Sequence, residues 1–106
     1  MAVEIFDHVL GDLSPLVREG FRTVLLPSGS QVLGASVRDG EVAVSVLSNT
    51  SAPKFGVRFR VVGVGEDIEG EDLRHVAPLD RGNHLFIDMA PLKASGLGVS
   101  TGHPDD

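Results

Sequence analysis

The chain has 106 residues, 42% hydrophobic and 23% charged, which is enough for one domain with a modest core. Nine Lys and Arg stand against 15 Asp and Glu, a net charge of −6. That balance argues against a general nucleic-acid binder, because phosphate contacts need clustered cations. There is no Cys, so disulfides, a thiol nucleophile and thiolate metal sites are excluded.

No apolar run approaches the roughly 20 residues that span a bilayer, so no membrane partner is expected. Met1-Ala2-Val3-Glu4 lacks the basic opening of a secretory signal, and none is expected. Trp and Tyr are absent, which leaves five Phe as the aromatic side chains.

In chain order, Val3 to Leu10 reads as a strand, with Val3, Ile5 and Val9 on the inner face and Asp7 interrupting it. Gly11 to Gly20 reads equally as a loop or as a short helix. The helix would have Ser14 as N-cap, Pro15 at its first position and Gly20 at its end, with Leu13, Leu16 and Val17 facing inward. Phe21 to Pro27 alternates again: Phe21, Thr23 and Leu25 share one face, and Arg22, Val24 and Leu26 the other. Pro27-Ser28-Gly29-Ser30 is a turn, and Gln31 to Arg38 resumes the strand pattern.

Asp39-Gly40 is the strongest hairpin signal in the chain. It leads into Glu41 to Leu47, where Val42, Val44 and Val46 point to the core. Ser48 to Pro53 is a polar loop. In Phe55 to Val64, Val57, Phe59 and Val61 face one way, and Arg58, Arg60 and Val62 the other. An acidic loop, Glu66 to Asp72, precedes two short strands, Leu73 to Pro78 and His84 to Met89. In the last of these, Leu85, Ile87 and Met89 oppose His84, Phe86 and Asp88.

The expected fold is all-β: a small antiparallel β-sandwich or partly open barrel of about seven strands. It occupies residues 1–89. Residues 90–106 are rich in Gly, Ser and Pro and read as an extended C-terminal tail.

Few residues carry chemistry. His75 and His84 fall on neighbouring strands, but their nine-residue separation matches no metal-ligand spacing. The five carboxylates Glu66, Asp67, Glu69, Glu71 and Asp72 do not follow the order of a calcium loop, and read as a solvated sheet end. Gly63-Val64-Gly65 is followed by carboxylates that would repel a phosphate. Ser28 lacks the strand–turn–helix context of a nucleophile elbow. The expectation is a protein with no catalytic residue, no cofactor and no metal.

Two sets of residues are left for partner binding. Arg22, Arg58 and Arg60, with Arg74, are candidates for a basic stripe facing an acidic partner. The plainer alternative is cross-strand pairing with Glu41, Glu4 or Asp88. Leu92, Leu97 and Val99 are apolar points along the tail.

Several strand and turn segments resemble a family of small bacteriophage and prophage β-domains of unknown function. These are Ile5-Phe6, Thr23 through Leu33 with its Pro27-Ser28-Gly29-Ser30 turn, Asp39-Gly40-Glu41-Val42, Arg58 through Gly65, and His84-Leu85-Phe86-Ile87. The resemblance covers about Val3 to Met89. The insertion from Gly11 to Gly20 and the tail depart from it. So does Glu66, where the family tends to carry an aromatic residue or His. The resemblance implies a phage origin and a small β fold, and no activity.

The expected function is therefore non-enzymatic protein–protein binding. The leading expectation is a virion accessory protein, decorating the capsid or serving as a minor structural component, whose tail contacts neighbouring capsid subunits and which can form a homo-oligomer. The alternative is a nonstructural phage protein in the host cytoplasm that binds and modulates a host protein; an acidic surface suits that role.

Overall fold

The computed structural model describes residues 3–90. Its elements are β1 (Val3–Asp12), α1 (Leu13–Glu19), β2 (Phe21–Pro27), β3 (Gln31–Arg38), β4 (Glu41–Asn49), β5 (Lys54–Gly63), β6 (Leu73–Pro78) and β7 (Asn83–Asp88). They form two antiparallel sheets, in the orders β1-β4-β3 and β2-β5-β7-β6. The fold is thus a sandwich, and the expected alternation on β4, β5 and β7 holds. Leu92, Leu97 and Val99 lie outside the described residues.

The core fills the space between the sheets. Val42, Val44 and Val46 of β4 face Val57, Phe59 and Val61 of β5 and Leu85 and Ile87 of β7, all buried. Complete burial of one such side chain contributes about 1.5–3 kcal/mol. Asp39 (φ 52°) and Gly40 (φ 78°) both adopt the left-handed conformation, as the two-residue β3–β4 hairpin requires. At the β2–β3 turn, the buried Ser30 hydroxyl donates to the Pro27 carbonyl at 2.6 Å. Its single proton is thereby committed, so Ser48 is the donor in the 3.1 Å bond between the two hydroxyls.

The insertion after β1 is a helix, entered earlier than the sequence suggests. Asp12, not Ser14, is the N-cap, without a side-chain capping bond. The Leu13 N–H instead donates to the Gly40 carbonyl at 2.8 Å. Pro15 then falls in the first turn, where a missing N–H costs nothing. Gly20 closes the helix at φ 84°, with its N–H on the Leu16 carbonyl. Leu13 and Leu16 are buried, but Val17 is 38% exposed and does not face inward.

β1 also differs from its expected orientation. Phe6 and His8 oppose Val46 and Val44, so the even-numbered residues take the core-side face. Val3, Ile5 and Val9 are therefore on the outer face, 58%, 63% and 57% exposed. Alternation alone identifies two faces; the cross-strand partner decides which is inside.

Candidate functional site

The two sheets meet at one side and part at the other. β3 packs against β6 on the closed side. On the opposite side lie the edges of β1 and β2, which no other strand among the described residues pairs, with α1 touching both. A single side chain ties these edges together. Arg22, on the inward face of β2 opposite Phe59, reaches across so that Nη1 donates to the Leu10 carbonyl at 2.7 Å. Its Nη2 donates to Glu19 Oε2 at 3.1 Å. Gly11 accommodates the guanidinium: a Cβ there would sit 3.2 Å from Arg22 Nη1.

The basic stripe does not assemble. Arg22 shares the core-side face of its sheet, and so by register does Arg74, opposite Ile87. Arg58 and Arg60 lie on the outer face, in register with Thr23 and Phe21. Arg60 is neutralised by the acidic loop rather than by a cross-strand carboxylate. Glu71 accepts from its Nε at 3.1 Å and from Nη2 at 3.3 Å, and Glu66 lies 3.8 Å away. The hydrogen bond to Glu71 is the main cause holding the Arg60 pKa above its ordinary value. Arg58 has no ion pair among the described residues and lies over the Phe21 ring, 4.0 Å from its centroid. Of the three expected stripe residues, only Arg58 presents an unneutralised cation on that outer face.

The same outer face carries the histidine pair. His75 Nε2 is 3.1 Å from His84 Nδ1, and the edge of Phe86 packs against His75. Among the described residues, no three His, Asp or Glu side chains converge as a metal-binding group. A separate cleft of about 450 Å³ opens beside α1, lined by Leu13, Ser14, Val17, Arg18, Asp80 and Arg81 among others. Ser14 is the one hydroxyl side chain lining it, and no histidine does.

What stands out is where apolar surface is exposed. Nine large hydrophobic side chains are exposed among the described residues, and seven of them lie on β1, α1 and β2: Val3, Ile5, Phe6, Val9, Val17, Phe21 and Leu25. They do not form one plane. Val3, Ile5 and Val9 project from the outside of the three-stranded sheet, and Phe21 and Leu25 from the outside of the other. Phe6 points into the mouth between them. Sequence reasoning missed this set because it assigned the β1 residues to the core. The signal that could have found it was the doubly apolar character of the first strand, where Phe6 interrupts a polar face.

No family model, no curated protein and no solved structure matches the chain.

Proposed function

We propose that this is a non-enzymatic binding protein that docks other protein chains along its open side, β1–α1–β2. The observation that carries this reading is the concentration of exposed apolar side chains on that side, against two on the rest of the described surface, Leu33 and Val64. Val3 and Ile5 adjoin each other on the outer face of β1, and exposed apolar groups that adjoin one another mark a contact surface. β1 adds a free backbone edge. A strand with apolar groups on both faces and, among the described residues, no partner strand along one side is suited to strand addition.

The resemblance to small phage domains supports one proposed setting: a virion accessory protein on the capsid, with residues 91–106 as a second point of attachment. Two weak attachments on one chain reinforce each other through effective concentration. The test is peptide mass spectrometry of density-purified particles from the phage that encodes the chain. A stoichiometric copy number is the expected result. Absence from particles, with the chain abundant in infected-cell lysate, overturns the virion assignment and favours a host target.

A further inference from the structure

We propose that β1 pairs antiparallel with β1 of a second copy, joining two three-stranded sheets into one of six strands, with Phe6 on the two-fold axis. The proposal rests on the docking reading above and names the occupant of one part of that surface.

The register follows from the strand itself. β1 is regular from Val3 to Val9, and the irregularity between Val9 and Gly11 ends the pairable stretch. Phe6 is the midpoint of those seven residues. Full overlap of two copies therefore places Phe6 opposite Phe6, Val3 opposite Val9, Glu4 opposite His8 and Ile5 opposite Asp7. Every one of these pairs is compatible. Two Phe side chains, 39% exposed in the single chain, would cover each other. Val3 and Val9, both more than half exposed, would do the same. Glu4 would lie opposite the partly exposed His8, a pair with no like charge. Asp7 leans back to its own sheet, accepting from Ser45 Oγ at 2.7 Å, and leaves room for Ile5.

Neighbouring registers are poorer. Centring the axis on Asp7 sets two carboxylates directly opposite each other, which is destabilising; centring it on Ile5 shortens the overlap to Val3–Asp7 and sets Glu4 against Phe6 and Val3 against Asp7. The other free edge is less suitable. β2 ends on Pro27, which has no N–H to offer, and a two-fold at Val24 would set Arg22 against the buried Leu26.

The absence of Cys makes the register directly measurable. Directly opposed residues of an antiparallel pair have Cα atoms about 4.5–5.5 Å apart, inside the disulfide range of about 4.4–6.8 Å. Phe6→Cys should therefore give a disulfide-linked dimer under mild oxidation. Ile5→Cys places its two Cα atoms on a diagonal about 7–8 Å apart, beyond the disulfide range, and should cross-link about tenfold more slowly. Sedimentation velocity of the unmodified chain, up to roughly 100 μM, should show a dimer. A monomer throughout that range overturns the proposal, whether or not the Cys variants fold, and leaves the docking reading to the particle experiment. A dimer that cross-links faster through Ile5→Cys than through Phe6→Cys overturns the register.

Discussion

Replacing Arg22 by Met tests whether one guanidinium holds the open side in place. Met keeps an unbranched apolar stem and removes the charged donor. The Leu10 carbonyl then loses the 2.7 Å bond that connects β2 to β1. A hydrogen bond to a charged group contributes about 1.5–3 kcal/mol. The Arg22 side chain is 38% exposed, and water replaces part of what is lost, so the lower end, about 1.5–2 kcal/mol, applies. Its ion pair with the more exposed Glu19 adds under about 0.5 kcal/mol. In a domain of this size the loss lowers Tm by about 6–15 °C. The assay is a thermal melt followed by far-UV circular dichroism, with urea titration to confirm an unchanged m value. Glu19→Gln is the control and should move Tm by less than about 4 °C. If Arg22→Met melts no lower than Glu19→Gln, the tie between the edges is not stabilising and the reasoning fails.

Three further outcomes are expected. Gly20→Ala should cost about 1–2 kcal/mol in urea denaturation, because a side chain is disfavoured at φ 84°; its Cβ would also meet Arg60 Nη1 at 3.1 Å. Arg81→Gly should raise the urea midpoint, by about 0.5–1 kcal/mol in stability, since Arg81 holds φ 62°. Phe59→Ala removes the largest fully buried side chain and should cost about 3–5 kcal/mol, read as loss of a cooperative thermal transition near physiological temperature.

The strands were legible because their signals are local. Alternation on Val42 to Val46 and Val57 to Val61 coincides with burial in the structure, and Asp39-Gly40 forms the hairpin its composition demands. Turn chemistry and period-two patterning are properties of a few consecutive residues. What escaped depends on distant partners. Nothing within Val3 to Val9 says that Phe6 lies beside Val46 and Ile5 outside, because that follows from a pairing some forty residues away. Arg22 and Arg60 look equivalent in sequence, yet their registers place them on opposite faces of one sheet, one spanning a gap and the other clasped by the acidic loop. The helix start was misplaced for the same reason: Gly40, a hairpin residue, accepts its first N–H.

The misplaced faces of β1 and the misplaced start of α1 concern the same open side. Assigning Val3, Ile5 and Val9 inward hid the exposed side of the molecule, and the arginine stripe drew attention to a face whose charges are largely matched. The structure moves the argument from charge to apolar surface and a free strand edge. Arg58 over Phe21 fits that shift, as a cation covering one ring on an otherwise apolar edge.

The claim that the open side docks protein is tested most directly by comparing substitutions on it with one away from it. Ile5→Asp combined with Leu25→Asp places two carboxylates on β1 and β2 at positions 63% exposed, where folding tolerates them. Leu33→Asp does the same on β3, at a position 45% exposed. Copy number per purified particle is then measured by quantitative peptide mass spectrometry. The account predicts a fall of about tenfold or more for the double variant and little change for Leu33→Asp. Equal occupancy at a measurable copy number for both would contradict it; absence of both from particles overturns the virion proposal instead.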